Sequence, residues 1–592
     1  MLDVKRNRVN YGEIVSPPEG YELTKAVGTT YSLDLFALLA MPVAMFYANS
    51  LDGDFTINRY DVLEAIRQSK DRIDIFCQKG KIKVQKAYNN LLTFMEDCVE
   101  EIETPIKDSS FHPKIWVMRF ERKDEVVYRM VVLSRNLTFD RSWDVAFHSE
   151  GRMGIALNGE SAKLSRYLSS FYEQTKRKEN AIFLSDLSKV NFGIPLGFSD
   201  LEILPIQNFM KSDLFNPLKE RSYREMLLIS PFIHITTLKD LKKVNKQLSV
   251  ISRKEELDKL DHSQLKNIRF YCINPTAVDG ERILDSEGEE PMSQNLHAKV
   301  FIAFDGEYTD WYMGSANATE PAFDRNIECM VKLKTANKGL SLKKVKKQLL
   351  EEQNDLFQPY TPPSEILVNQ DKENQEKIKE IVFELNKLEL KGKIDHTDTD
   401  NFELATNVDL RGIRETSFEL KMRLIHRESD KVSLKATTLN QIIFKNIPLT
   451  HLSKYIVIEV WSATDLVYSS LFKLTVELPD GREDAIFNRI INNRVKFLQY
   501  LQFILQPERT VGSREIKDID NRRDGTVNFL SDLFGSGSSI YESLMLTASR
   551  SPNKLRQIDA IIERLKKADS EIVDDFLPIW EVYKTFIPNG RT

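Results

Sequence analysis

A duplicated unit constrains this chain more than any other feature. Residues 111–147 read FHPKIWVMRFERKDEVVYRMVVLSRNLTFDRSWDVAF, and residues 296–331 read LHAKVFIAFDGEYTDWYMGSANATEPAFDRNIECMV. Each unit opens on His-x-Lys, runs through an apolar strand, a charged turn and a second strand, and ends in Ser-x-Asn-x-Thr. Each then carries Phe-Asp-Arg and, three residues later, a carboxylate. His112 thus matches His297, Lys114 matches Lys299, Ser134 matches Ser315, Asn136 matches Asn317, and Asp144 matches Glu328. With 8 histidines in the chain, roughly half a His-x-Lys is expected by chance. Two copies followed by the same hairpin, amide and acid are a duplication.

Side chains at i and i+2 of a strand share a face, so His and Lys of each motif are expected to project together. The second strand of each hairpin should return beside them and deliver Asn136 or Asn317. Two such units about an approximate two-fold axis would place two imidazoles, two ammoniums and two amides around one phosphate.

This pattern resembles the phospholipase D superfamily, whose lobes each carry His-x-Lys and a Gly-Ser-x-x-Asn or Ser-x-Asn element. The segment Leu227 to Phe232 is also similar to the strand that opens the second lobe in many members. The likeness covers about the first 355 residues. The family's Asp five residues after Lys is absent, since Arg119 and Phe304 stand there, with Asp305 one residue late. That absence resembles the tyrosyl-DNA phosphodiesterase branch. Leu133 stands where the second unit has Gly314, so the first Ser-x-Asn loop is expected to be held differently.

The resemblance implies a metal-independent phosphodiesterase that needs no cofactor. His112 would be the nucleophile and His297 the acid and then base. Lys114, Lys299, Asn136 and Asn317 would hold the non-bridging oxygens. Asp144 and Glu328 would each accept from the far ring nitrogen of a histidine, with Ser134 and Ser315 in support.

The rest of the chain sets the expected frame. Strand patterns at Arg72 to Cys77, Lys114 to Phe120, Val126 to Leu133, Met226 to Ile233, Arg269 to Ile273, Lys299 to Phe304 and Trp311 to Met313 alternate with helical ones. The expected fold class is α/β, with two pseudo-symmetric lobes at 1–190 and 191–356. A basic helix from Ser341, a Pro-rich linker (Pro359, Pro362, Pro363), a helix at Lys377 to Leu390 and a polar stretch after it lead onward. A β-rich domain at 366–485, read as a sandwich or small barrel, and a helical C-terminal domain at 486–592 complete the reading. Leu35 to Ala48 reads as a buried helix, too short to span a bilayer. The Gly/Ser loop Phe534 to Ser539 lacks the ending of a phosphate-binding loop.

Composition bounds the function. Lys plus Arg number 83 against 88 Asp plus Glu, a net charge of −5, so a polyanion would have to meet a local groove. Cys77, Cys98, Cys272 and Cys329 form no CxxC pair, which indicates neither a zinc ribbon nor a disulfide framework. No secretion signal is visible, so a cytoplasmic location is expected.

Other candidates carry ordinary readings beside functional ones. Asp409, Glu419 and Lys421 have the spacing of a metal-dependent nuclease site, but charges alternate along any half-exposed strand. His148 reads as a strand-end histidine, and His234 as a better cleft candidate. His262, His396, His426 and His451 are assigned nothing. Basic runs at Lys176 to Lys178, Lys239 to Lys246 and Lys343 to Lys347 read as solvated helix faces, one of which could track a backbone. Trp116, Trp143 and Trp311 read as core. The expected function is nuclease action on nucleic acid, with DNA the first expectation, in a bacterial repair or anti-phage setting. A helicase or other partner would dock on the C-terminal domains, and no membrane is involved. A non-catalytic nucleic-acid scaffold and a phospholipase or phosphatidyl transferase stand as alternatives.

Overall fold

The structure is a computed structural model. It describes residues 11–47, 59–207, 221–274, 295–505 and 540–587, apart from 86–87, 105, 139–141, 176, 352–355, 364–371, 399–400, 416, 541–543, 546, 549–552, 569 and 575. Phe139 to Arg141 of the first unit, Lys176 and the Phe534 to Ser539 loop lie outside the described residues.

Apolar runs separated by turns become two mixed sheets. Strands β1 (Glu22–Thr30), β2 (Ile73–Gln78), β3 (Val99–Ile102), β4 (Ile115–Arg122) and β5 (Glu125–Leu133) belong to the first sheet. After the short β6 (Ser142–Trp143), it gains β7 (Ala146–Met153) and β8 (Val190–Phe192). The second sheet holds β9 (Asp200–Gln207), β10 (Tyr223–Ile229), β11 (Asn245–Ser252) and β12 (Ile268–Ile273). After the short β13 (Asn295–Leu296) come β14 (Val300–Phe304), β15 (Thr309–Gly314), β16 (Ile327–Thr335) and β17 (Phe357–Pro359).

The strand orders are β3-β2-β1-β4-β5-β7-β8 and β17-β12-β11-β10-β14-β15-β16-β9. They superpose strand for strand from β3 against β12 to β8 against β9, with β17 as an added edge. Pairing senses agree too: β1 is parallel to β2 and antiparallel to β4, and β10 is parallel to β11 and antiparallel to β14. The match is not a plain repeat at its end. β8 follows β7, whereas β9 precedes β10.

The central strands are apolar almost without alternation because both faces are covered. Val117, Tyr128 and Met130 of the first sheet share one core with Ile302, Trp311 and Val331 of the second, and Leu164, Leu168 and Phe171 of the helix Gly159–Thr175 fill it. Each fully buried side chain of this size contributes roughly 1.5–3 kcal/mol. The helix Leu35–Tyr47, with Pro42 inside it, covers the outer face of the first sheet, as its apolar run predicts. Trp116, Trp143 and Trp311 are buried core residues, and the four cysteines are buried and free.

Residues 391–473 form β18 (Lys391–Asp398), β19 (Asn401–Asp409), β20 (Glu419–Leu424), β21 (Val432–Leu434), β22 (Leu439–Pro448), β23 (Tyr455–Ser462) and β24 (Asp465–Lys473). They make sheets β18-β19-β22 and β21-β20-β23-β24. Leu404 and Phe444 of one pack with Leu420 and Ile458 of the other, so a sandwich fits and a closed barrel does not. Two local expectations need correction. The polar stretch after the helix Lys372–Asn386 is strand β18, whose charges face solvent while its backbone pairs with β19. The start of the Pro-rich linker is β17, an edge position at which Pro359 gives up no ladder bond. Helices Arg482–Ile490, Arg494–Leu505, Asn553–Ala568 and Leu577–Lys584 end the chain.

The sandwich docks on the first sheet. Leu471 N–H donates to Ile82 O at 3.0 Å, and Tyr468 Oη donates to Gly80 O at 2.6 Å. Behind them lies a buried ion pair, Arg482 to Glu96 at 2.9 Å. No helix among the described residues is long and apolar enough to cross a membrane.

Candidate active site

His112 and Lys114 do not lie in β4, nor His297 and Lys299 in β14, as their pattern suggested. Each pair sits in the extended segment just before its strand. These segments leave their own sheets to pair with the opposite half. Phe111 bridges Ile327, and His112 N–H donates to Ile327 O at 2.9 Å. In the mirror arrangement β13 pairs in parallel with β6, and His297 N–H donates to Trp143 O at 2.9 Å. Each histidine is therefore seated beside the residue that precedes the other half's acid.

The crossing decides the pairing. His112 Nδ1 lies 2.9 Å from Glu328 Oε2, and Glu328 is fully buried. A carboxylate only accepts, so Nδ1 carries the proton and Nε2 keeps its lone pair. Ser315 Oγ donates to the same Oε2, and Asn326 Nδ2 donates to Oε1 at 3.1 Å. Asn326 Oδ1 in turn accepts from Ser110 N–H at 2.9 Å, tying the acid to the segment that carries His112.

Asp144 differs. Its Oδ2 is 3.4 Å from Arg135 Nη1, an ion pair by distance that lacks hydrogen-bond geometry. Burial raises its pKa, against the opposing charges of Arg135 and Lys299.

The two lysines interlock. Lys114 Nζ donates to His112 O at 3.1 Å. Lys299 Nζ donates to His297 O at 2.8 Å and to Ser134 O, across the halves, at 3.1 Å. Burial pushes the Lys299 ammonium down to about 7, with Glu328 opposing and Arg253 adding to the fall. Burial, then the charge of Lys299, holds Lys114 well below the ordinary lysine range. Burial also brings His112 down to about 4, although Glu328 pulls the other way. The imidazole is thus neutral at pH 7. Burial thus disfavours the charged form of both lysines, and a bound anion would favour it.

The Ser-x-Asn loops are anchored alike. Ser134 N–H donates to Val145 O and Ser134 Oγ accepts from Val145 N–H at 2.9 Å, while Ser315 does the same with Cys329 at 3.0 Å. Leu133 in place of Gly314 leaves these bonds intact. Only the backbone differs, since Gly314 has φ +155° and Leu133 is not left-handed. Asn317 Oδ1 is buried without a hydrogen-bond partner, and Asn136 Oδ1 accepts from Ser32 N–H at 3.5 Å.

Sequence reading missed several supporting residues. Thr30 Oγ1 accepts from Leu137 N–H and Ser230 Oγ from Ala318 N–H, both at 3.0 Å, pinning the two loops to the ends of β1 and β10. Gln78 accepts from Phe111 N–H, and Arg253 donates to Leu296 O, each holding the residue before one of the two histidines. Thr matching Ser is faintly legible in the repeat, but Gln matching Arg is not.

The remaining candidates fall elsewhere. Asp409 pairs with Arg411, and Glu419 with Lys421, on separate sheets. No group of three or more His, Cys, Asp or Glu able to hold a metal occurs among the described residues. His148 is exposed in mid-β7 rather than at a strand end, opposite Val131. His234 N–H donates to Ala318 O, which places it next to Asn317. Asp305 caps its own turn by accepting from Glu307 and Tyr308 N–H, so it does not replace the absent Asp. In the basic runs, Arg177 pairs with Asp74 and Lys346 with Glu225.

No family model and no curated protein matches this chain. Among solved structures it is similar to a mutant of yeast tyrosyl-DNA phosphodiesterase, with TM-score 0.36 and 14% identity over 57% of this chain and 87% of that one. It is also similar to polyphosphate kinase from Porphyromonas gingivalis (TM-score 0.31, 13% identity, 55% and 42% covered). A third is phosphatidylserine synthase from Haemophilus influenzae Rd KW20 (TM-score 0.30, 10% identity, 62% and 96% covered). Likeness at these scores carries no argument of its own. In its doubled His-x-Lys and Ser-x-Asn units, and in its lack of the following Asp, this chain resembles the phospholipase D superfamily near its tyrosyl-DNA phosphodiesterase branch.

Proposed function

We propose that this protein is a metal-independent nuclease that cleaves phosphodiester bonds through a covalent phosphohistidine. The supporting observation is the neutral His112 imidazole, oriented by Glu328 from the other half and set beside two buried lysines. In the first step Nε2 of His112 attacks phosphorus while the bond to the leaving oxygen breaks, and His297 gives that oxygen its proton. In the second step His297 takes a proton from water, whose oxygen attacks phosphorus and frees His112. Lys114, Lys299, Asn136 and Asn317 stabilise the five-coordinate species. Bound phosphate oxygens would restore full charge to both ammoniums. Ser134 and Ser315 brace the loops, and Asp144 plays the lesser part beside His297.

In this reading residues 1–190 and 191–356 are the two catalytic lobes, 366–485 and 486–592 are accessory domains, and the latter offer a helicase or other protein partner a place to dock. Reduced, buried cysteines fit a cytoplasmic enzyme. Nucleic acid is favoured over lipid because the missing Asp points away from lipases.

A panel of labelled DNA and RNA substrates in EDTA tests this directly. Cleavage by wild type, lost by roughly 10²–10⁴-fold in His112→Ala or His297→Ala, is expected. Activity abolished by chelation and restored by Mg²⁺ would sink it.

A further inference from the structure

A cavity of ≈ 760 Å³ lies between the catalytic halves and the sandwich. Its floor includes Tyr31, whose ring centroid is 5.2 Å from that of His112, and His234, beside Asn317. Its roof is the helix Lys372–Asn386, through Phe383, and Tyr468 of β24. Between floor and roof stands Lys81, its Nζ 5.7 Å from the Tyr31 ring centroid and 5.5 Å from that of Tyr468. The cavity also contains carboxylates. Glu380 is 3.3 Å from Lys107 and Glu103 3.8 Å from Lys79, so those two are offset by neighbouring cations.

We infer that this roofed cavity binds a single strand of nucleic acid next to the scissile phosphate, and that the sandwich excludes duplex from the site. The inference rests on the nuclease reading above. An ammonium between two aromatic rings offers a phosphate a counter-charge and bases two stacking faces, the pairing that sequence-tolerant single-strand sites use. Pockets of about 300–1,000 Å³ hold one compact ligand. That is the scale of a nucleotide or two, not of a duplex turn. The roof is bonded to the floor: Lys79 Nζ donates to Leu388 O at 2.7 Å, and Tyr468 closes on Gly80. A double helix entering through this cavity would have to undock the sandwich to reach His112.

The experiment uses the full chain and two variants outside the catalytic residues, Lys81→Glu and Phe383→Ala, each checked for an unchanged melting midpoint. Fluorescence anisotropy measures binding of short labelled single strands, in DNA and RNA arms, against blunt hairpin duplexes. Hydrolysis of bis(4-nitrophenyl) phosphate in EDTA is followed in parallel. Wild type should prefer single strands by about tenfold or more, and each variant should weaken that binding by about tenfold. Turnover of the small ester should change less than about twofold, because it needs only the phosphate pocket. Equal or tighter duplex binding, or single-strand binding untouched in both variants, overturns the inference. Absence of small-ester turnover in wild type counts against the nuclease reading instead, and the binding arms still decide this one.

Discussion

Desolvation tunes the reactive residues more than pairwise charge does. His112 falls to about 4 although a carboxylate touches it, and Lys299 falls to about 7 although two acids act on it. The pH profile of kcat/KM, which reports free-enzyme groups, follows in sign. On the proposed mechanism His112 is protonated below about 4, so activity should drop on the acid side there. Above about 7 Lys299 loses its charge, so kcat/KM should fall as pH rises. Because a bound phosphate favours the ammonium, the alkaline limb of kcat should lie at higher pH than that of kcat/KM. Coincident limbs would remove Lys299 from the anion site. The unequal acids give a second outcome. Glu328→Gln should lower kcat by roughly 10²-fold or more, and Asp144→Asn by clearly less, in steady-state assays on one substrate. The histidines, lysines, amides and acids were legible because the repeat prints them twice. Which acid serves which histidine was not, since a repeat shows equivalence and not contact. Asn326, which completes the shell around Glu328, faces Ser142 in the alignment and so left no trace.

Among the elements, strand existence followed from apolar runs bounded by turns, while strand ends did not. β10 stops at Ile229, four residues before its apolar pattern does, because Ser230 turns the chain to anchor the Asn317 loop. The hairpin β14–β15 ends at Gly314, where a Cβ would lie 2.3 Å from Cys329 O and φ is +155°. Gly314→Ala should therefore destabilise by about 1–3 kcal/mol and also depress kcat, since Ser315 and its bond to Glu328 follow at once. A melting shift without loss of kcat would show that the loop tolerates displacement. At Leu133 the first half takes the same anchor bonds with ordinary backbone, so Leu133→Gly should leave kcat nearly unchanged.

For the whole molecule, the contact between the first half and the C-terminal part includes a buried charge pair, beside Lys454 with Asp97 and Lys473 with Glu100. Arg482 spans Glu96, Leu452 O and Thr93 O, and Ser453 Oγ donates to Glu96 at 2.5 Å. Burial raises the Glu96 pKa in spite of Arg482, so the carboxylate depends on that partner. Arg482→Ala should cost about 3–5 kcal/mol, read as an earlier unfolding midpoint in denaturant. A midpoint within experimental error of wild type would mean the sandwich is held mainly by Leu471, Tyr468 and their neighbours. The crossed strands before His112 and His297 have a longer consequence. Each half lends the other a seat for its histidine, as partners do across an isologous dimer interface. The two halves are therefore bound at the site itself: a shift of one half against the other would move each histidine off the seat its partner half provides.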